Sequence, residues 1–89
     1  MNTLEKIFSS KARANIFKIL FGLQKNEIHL REIQRISGLT VETIRRELIN
    51  LESLELINKR IDSNRNYYQA NTGHPLYNEI HNIVLKTAG

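Results

Sequence analysis

The stretch "LREIQRISGLTVETIRRELINLESLELI", residues 30–57, contains two runs of apolar residues at helical spacing, separated by one glycine. In the first run the apolar residues recur every three positions, and Gly38 stands where the glycine that follows a helix usually lies. The second run begins at Thr40, whose hydroxyl suits an N-cap, and its apolar residues are three or four positions apart. The pattern predicts a short helix, a tight turn and a longer helix.

The longer helix, about residues 40–53, has one apolar and one polar face. Its apolar stripe consists of Val41, Ile44, Leu48 and Leu51. The side chains that a helical wheel places opposite the stripe or on its flank are Glu42, Thr43, Arg45, Arg46 and Asn50. A polar outer face on the second of two such helices is typical of a helix-turn-helix, in which the inner faces pack together and leave the outer face accessible.

Helices are also predicted towards the two ends of the chain. The sequence "SSKARANIFKILFGL", residues 9–23, offers Ser9 or Ser10 as N-cap and has an apolar arc wider than half of the wheel. So wide an arc faces either the chain's own core alone or, in part, a partner chain, and the sequence leaves both possibilities open. The closing helix, about residues 75–87, has Pro75 at a first helical position and an apolar stripe that includes Ile83 and Val84.

Between residues 57 and 70 the apolar period changes from helical to alternating. The sequence "DSNRN", residues 62–66, is rich in turn formers, and "YYQA" resumes strand-like residues. This predicts a β-hairpin with Arg65 at its tip, and a short strand near residues 28–30 that pairs with it. Because side chains alternate along a strand, Tyr67 and Tyr68 face opposite sides, one towards the core and the other outward.

The order of these elements predicts a mainly α fold with a small β-hairpin (α+β), that is, a winged helix-turn-helix. We expect a single domain over residues 1–89. Its core is expected at about residues 9–72, and the closing helix is expected to be available for dimerisation.

The residues also resemble a known family. "LREIQRISGLTVETIRRELINLESLELINKR", residues 30–60, followed by "NRNYYQAN", residues 64–71, resembles the winged helix-turn-helix of bacterial and archaeal transcriptional regulators, closest to the ArsR-like group. The likeness extends over residues 9–72. It implies a recognition helix at about 40–53 in the major groove of double-stranded DNA and a wing at about 57–70 on the flanking backbone. It also implies a homodimer formed by the first long helix and the C-terminal helix.

The sequence departs from the family pattern at two points. Glu55 occupies a position where the family often has the glycine that ends the recognition helix, which predicts a looser turn into the wing. The chain has no cysteine, so it lacks the ligands of the metal-sensing members. Residues 74–89 also resemble the closing helix of winged-helix segments that precede a nucleotidyltransferase domain in longer proteins.

The candidate DNA contacts divide into base-reading and backbone residues. Arg46 is placed to pair with guanine in the major groove, and Asn50 and Thr43 to reach base edges or phosphates. Arg45, on the flank, either contacts phosphate or pairs with a glutamate, and Arg65 contacts backbone or a minor groove. Lys59 and Arg60 point to opposite faces of one strand, so at most one faces DNA. The complete set is Thr40, Glu42, Thr43, Arg45, Arg46, Asn50, Lys59, Arg60 and Arg65.

The charge distribution keeps two other functions open. The net charge is +4, but residues 1–35 carry seven basic and three acidic residues, whereas residues 36–65 carry five of each. DNA binding by the second region would therefore depend on individually placed arginines and not on a uniform positive field. A winged-helix module that binds a protein is one alternative. A detached DNA-binding subunit of a split, nucleotidyltransferase-type system is the other.

Other classes of function find no supporting motif. The absence of cysteine excludes disulfides and thiolate ligands, and His29, His74 and His81 lack the spacing of a metal site. No glycine-rich phosphate loop or Ser/His/Asp arrangement is present, so we expect no enzyme activity, cofactor or metal. No apolar run approaches the roughly 20 residues of a membrane span, and the N-terminus does not resemble a secretory signal. We therefore expect a cytoplasmic protein with no membrane partner.

Overall fold

The computed structural model describes residues 10–22 and 27–87, which form four α-helices and one three-stranded antiparallel sheet. In chain order the elements are α1 (Lys11–Phe21), β1 (Ile28–His29), α2 (Leu30–Ser37), α3 (Val41–Ser53), β2 (Ile57–Asp62), β3 (Arg65–Ala70) and α4 (Tyr77–Thr87). Helices α2 and α3 and the turn between them are the helix-turn-helix, and the β2–β3 hairpin is the wing. The prediction of an α+β winged helix-turn-helix is confirmed.

Local side-chain chemistry sets the ends of the first three helices. Ser10 is the N-cap of α1, and its Oγ accepts a hydrogen bond from the Arg13 N–H at 3.3 Å; Ser9 lies outside the described residues. Gly38 ends α2 with a φ of 72°, a left-handed conformation that glycine adopts without a Cβ clash. Thr40 caps α3 by accepting from the Thr43 N–H at 3.2 Å.

One hydrophobic core connects all of these elements. Helix α1 packs against α2, α3, β3 and α4, and the rings of Phe17 and Phe21 meet edge to face with centroids 5.2 Å apart. Most of the wide apolar arc of α1 is therefore buried within its own chain, while Leu23 lies outside the described residues. The buried apolar side chains are Ile16, Phe17, Leu20, Phe21, Ile28, Leu30, Ile33, Ile44, Leu48, Leu51, Leu56, Ile57, Tyr68, Ala70, Ile80 and Val84.

The sheet places β3 at its centre, with β1 on one side and β2 on the other. The predicted short strand at β1 does pair with the hairpin, because Ile28 lies opposite Tyr68 in the register. Tyr68 faces the core, whereas Tyr67 is half-buried on the other face.

The tip of the wing differs from the prediction. Ser63 and Asn64, with φ of 50° and 68°, form the turn between the strands, and Arg65 is the first residue of β3 and not the tip itself. Two successive left-handed residues match the twist of a two-residue hairpin loop, and asparagine tolerates that conformation better than arginine.

Helix α4 begins at Tyr77 and not, as predicted, at Pro75. His74 accounts for the difference, because its Nδ1 accepts from the Leu76 N–H at 2.9 Å and its carbonyl from the Tyr77 N–H at 3.0 Å. These bonds make a turn before the helix. Further along α4, the Nδ1 of His81 donates to the Phe21 carbonyl at 2.6 Å, which ties α4 to the C-terminal end of α1.

The junction between α3 and the wing is tight, contrary to the expectation from Glu55. Glu55 adopts a left-handed conformation with a φ of 60°, and the Leu56 N–H donates to the Leu51 carbonyl at 3.0 Å. This is the hydrogen-bond pattern with which helices often end at a glycine. The Nδ2 of Asn71 also donates to the Glu55 carbonyl at 2.8 Å. A non-glycine residue therefore holds the turn at some conformational cost.

We predict that Glu55→Gly stabilises the protein. The left-handed conformation costs a residue with a Cβ about 1–2 kcal/mol, and the greater flexibility of glycine in the unfolded chain offsets roughly 0.5–1 kcal/mol of that. The expected gain is about 1 kcal/mol in the free energy of unfolding, measured by urea denaturation. Glu52→Gly, at an exposed helical position of α3, is the matched control and should destabilise by roughly 0.5–1 kcal/mol. Equal destabilisation by both changes would show that Glu55 is unstrained.

Candidate nucleic-acid interface

The outer face of α3 is exposed while its inner face is buried. Arg46 and Asn50 point away from the core that holds Ile44, Leu48 and Leu51. Within the described residues, no carboxylate lies within salt-bridge distance of Arg46. Its guanidinium is therefore available to a ligand, and an α-helix with such a face fits the major groove of DNA.

The N-terminal end of α3 carries three further candidate residues. Thr40 and Thr43 are joined by two hydrogen bonds: Thr40 Oγ1 accepts from the Thr43 N–H and donates to Thr43 Oγ1 at 2.9 Å. The hydroxyl of Thr43 retains its own proton for a second contact. Glu42 is exposed in the first helical turn, where its charge is favourable to the helix dipole.

Sequence reasoning missed one residue of this face. Ile49 is 65% exposed although it is a large apolar side chain. The helical wheel indicates that Ile49 is exposed, because Ile49 follows Arg45 by one helical turn and lies outside the stripe of Ile44 and Leu48.

An ion pair fixes the orientation of α3. The Nε of Arg13, on α1, donates to Oε2 of Glu47 at 2.8 Å, and the two side chains are only 18% and 12% exposed. Glu47 is the residue after Arg46, and its side chain is largely buried on the flank of the helix whereas Arg46 is exposed. The pair joins the first helix to the helix that carries the candidate contacts.

The wing and the helix-turn-helix enclose a cleft of about 640 Å³, called the arginine cleft below. Three arginines line it: Arg31 from the start of α2, Arg45 from α3 and Arg65 from the wing. None of the three has a salt bridge with a described residue. The remaining lining residues are His29, Leu30, Glu32, Ser63, Asn64 and Asn66. The structure thus brings together two predicted residues and adds Arg31, which sequence reasoning missed.

The one carboxylate in the arginine cleft is already engaged. Glu32 accepts from the Nε of Arg35 at 3.1 Å and forms a second contact with the same guanidinium. This hydrogen bonding lowers the pKa of Glu32 and keeps its charge paired. His29 is engaged too, because its Nδ1 accepts from the Arg31 N–H at 2.9 Å and so caps α2. The cleft is therefore suited to an anion.

Lys59 and Arg60 lie on opposite faces of the wing. In the register Lys59 is opposite Tyr68, on the face that turns towards α3, whereas Arg60 is opposite Tyr67. Arg60 donates to Glu27 at 2.8 Å, contacts Asp62 at 3.4 Å and stacks over the Tyr67 ring at 4.9 Å. The hydrogen bonds from Arg60 to Glu27 are the main cause of the raised pKa of the guanidinium. The charge of Arg60 is therefore balanced within the protein.

Tyr68 belongs to β3 of the wing and lies on the face of the wing that turns towards α3. Its burial raises the pKa of its hydroxyl, the charge of Glu52 adds to the effect, and the charge of Arg45 opposes it. Tyr68 therefore stays neutral over the ordinary pH range and acts as a core residue.

Metal ligands and membrane spans are not found in the described part of the chain. Across residues 10–22 and 27–87, no three or more His, Asp or Glu side chains are grouped so as to hold a metal ion. No helix in the same two ranges is long and apolar enough to cross a membrane.

The chain matches no protein-family model and no curated protein. Among solved structures it is similar to the crystal structure of a predicted DNA-binding transcriptional regulator from E. coli, with a TM-score of 0.74 and 23% sequence identity. The match covers 97% of this chain and 85% of that chain. At this level of identity the similarity establishes the fold, and it does so over nearly the whole sequence.

We predict that the Arg13–Glu47 pair contributes measurably to stability. Both side chains are largely shielded from water. Either single change, Arg13→Met or Glu47→Gln, should therefore lower the free energy of unfolding by about 1–3 kcal/mol, because it leaves the other partner without its hydrogen bond. The double variant should cost less than the sum of the two, by more than about 0.5 kcal/mol in a double-mutant cycle. The exposed Arg35–Glu32 pair on α2 is the matched control and should give no resolvable coupling. Additive effects at Arg13 and Glu47 would contradict the assignment.

Proposed function

We propose that the protein binds double-stranded DNA sequence-specifically and regulates transcription, with α3 as recognition helix in the major groove. The observation that carries the proposal is the arrangement of arginines that have no salt bridge with a described residue. Arg46 lies on the outer face of α3, and the three arginines of the arginine cleft lie beside it. The structural similarity to a protein described as a predicted DNA-binding transcriptional regulator supports the same function.

The residues then divide by role. Arg46, together with Glu42, Thr43 and Asn50, reads base edges, because these side chains share the outer face of α3 with no core contact to satisfy. Thr40 acts through its cap, which fixes the first turn of the helix.

Arg45, Arg65 and Arg31 bind backbone phosphates, since a phosphate entering the arginine cleft would meet all three. Of the two wing cations, Lys59 is the better phosphate ligand because Arg60 is already paired with Glu27 and Asp62.

The resemblance of residues 30–60 and 64–71 to ArsR-like regulators supports placing the protein in that group. It also supports a single DNA-binding domain over residues 1–89, a cytoplasmic location and a homodimer. Leu85 on α4 is 42% exposed, and Ile19 on α1 is only partly buried. These two side chains, on the helices that the family uses for pairing, are the best candidates for the dimer interface.

A protein-interaction module is the second candidate function. The observation in its favour is the set of five large apolar side chains that are exposed in the described part of the chain: Ile36, Ile49, Leu54, Ile61 and Leu85. These side chains are distributed over α2, α3, the wing and α4.

A gel shift with mixed genomic DNA at low and moderate salt separates the two functions, because a pure protein-binding module would leave the DNA unshifted. Co-purification of a catalytic chain would instead support the split, nucleotidyltransferase-type system.

We predict that Arg46→Ala reduces specificity. The change should make the binding free energy for the preferred duplex about 1–3 kcal/mol less favourable and should hardly affect binding to random DNA. The reason is that a lost base contact matters only where the correct base is present. Fluorescence anisotropy on both duplexes measures the effect. If affinity falls equally on the two duplexes, Arg46 contacts phosphate and base reading belongs to Thr43 or Asn50. If neither affinity changes, α3 is not the recognition helix.

We predict that Arg65→Ala reduces affinity on all sequences alike. A lost phosphate contact should lower the slope of log K against log salt by about 0.9 per contact on duplex DNA. Arg60→Ala is the matched control, from the same hairpin and of the same residue type, and should leave the slope nearly unchanged. A larger change of slope for Arg60→Ala than for Arg65→Ala would reverse the two assignments.

We predict that Leu85→Asp disrupts the homodimer without unfolding the chain. Sedimentation at micromolar concentration should give twice the monomer mass for the natural sequence and the monomer mass for the variant. Leu54→Asp, at a residue that is 50% exposed outside α1 and α4, is the control and should remain dimeric. Val84, although it belongs to the predicted stripe of α4, is 1% exposed and is unsuitable for this test, because a charge there would disrupt the core. A natural protein that is monomeric without DNA would exclude the dimer.

A further inference from the structure

The outer face of α3 contains an exposed isoleucine that the core does not require. The inner side chains Ile44, Leu48 and Leu51 are each 1% exposed or less, so the helix is fully packed on the other side. Ile49, at 65% exposure, lies among polar neighbours instead. A β-branched side chain at such a position lowers helix propensity slightly, and among the described residues it adds nothing to the core. It is therefore accessible to a ligand of α3.

The neighbours of Ile49 indicate the chemistry of its ligand. Arg46 and Arg45 precede it by three and four residues, which on a helix places all three side chains on adjoining positions of one surface. Neither arginine has a salt bridge with a described residue. A protein partner that covered Ile49 would have to desolvate both guanidiniums, whereas DNA supplies phosphates and guanine acceptors for them. The surface is therefore apolar at Ile49, with two arginines on its N-terminal side and the exposed Glu52 three residues beyond it.

The major groove offers one apolar group to such a surface. Thymine carries a 5-methyl group there, whereas the other three bases present only donors and acceptors. We propose that Ile49 recognises thymine by packing against this methyl group, an inference that rests on the proposed DNA binding by α3. Ile49 is about 4.5 Å further along the helix axis than Arg46, and successive base pairs are about 3.4 Å apart. The thymine should therefore lie one or two base pairs from the guanine that Arg46 contacts.

Deoxyuridine provides a direct test, because it differs from thymidine only by the methyl group. The preferred duplex is first selected from a random pool with the natural protein. Each thymine of that duplex is then replaced singly by deoxyuridine, and dissociation constants are measured for the natural protein, Ile49→Ala and Ile61→Ala. Ile61 is the matched control, since it is the same residue type, is 66% exposed and lies on the wing. Circular dichroism checks that both variants remain folded.

For the natural protein, one thymine position should weaken binding about fourfold when its methyl group is removed, the value expected for one buried methyl group. Ile49→Ala should bind the thymine and deoxyuridine duplexes equally at that position, and Ile61→Ala should retain the fourfold difference. The inference is overturned if no position responds to deoxyuridine, if Ile49→Ala keeps the difference, or if Ile61→Ala loses it. In those cases the selected duplex still binds and the proposed function stands. If the pool yields no preferred duplex, sequence-specific binding fails and the inference fails with it.

Discussion

The burial of one face of α3 is the constraint on which the rest of the molecule depends. Ile44, Leu48 and Leu51 enter a core that all of the other described elements share, so the helix cannot rotate without exposing them. The Arg13–Glu47 pair fixes the same orientation from the flank. Once these contacts are made, helical geometry determines which side chains point outward. The face that carries Arg46 and Ile49 is thus a consequence of packing on the opposite side.

The position of the wing depends on the two left-handed turns that bound β2. Glu55 ends α3 and reverses the chain, so that the hairpin returns alongside the helix instead of continuing beyond it. Ser63 and Asn64 then close the hairpin beside the arginine cleft, which Arg65 lines together with Arg45 and Arg31. A cleft formed by three separate elements therefore depends on backbone conformation at two short turns, neither of which contains glycine.

Local patterns predicted the fold well but the candidate site only in part. The caps at Thr40 and Gly38 and the change of period near residue 57 depend on neighbouring residues, which the sequence displays directly. Arg31 was missed because its place in the arginine cleft depends on a contact between segments more than thirty residues apart. The balanced charge of Arg60 was missed for the same reason, since Glu27 joins it only through the sheet. Ile49 did have a local signal, because its position on the helical wheel lies outside the apolar stripe.

Two of the five carboxylates in the neutral segment 36–65 are engaged by arginines, whereas Glu42, Glu52 and Glu55 have no salt bridge with a described residue. Glu47 is neutralised by Arg13 from outside that region, and Asp62 lies in the network of Arg60. Glu32, next to Arg31, is held by Arg35. Besides Lys11, Lys18 and Lys86 on α1 and α4, the cations without salt bridges among the described residues are Arg31, Arg45, Arg46, Lys59 and Arg65, which belong to α3, the arginine cleft and the wing. A segment that is neutral by composition thus places Arg45 and Arg65 together in the arginine cleft, and this local arrangement determines what a phosphate meets there.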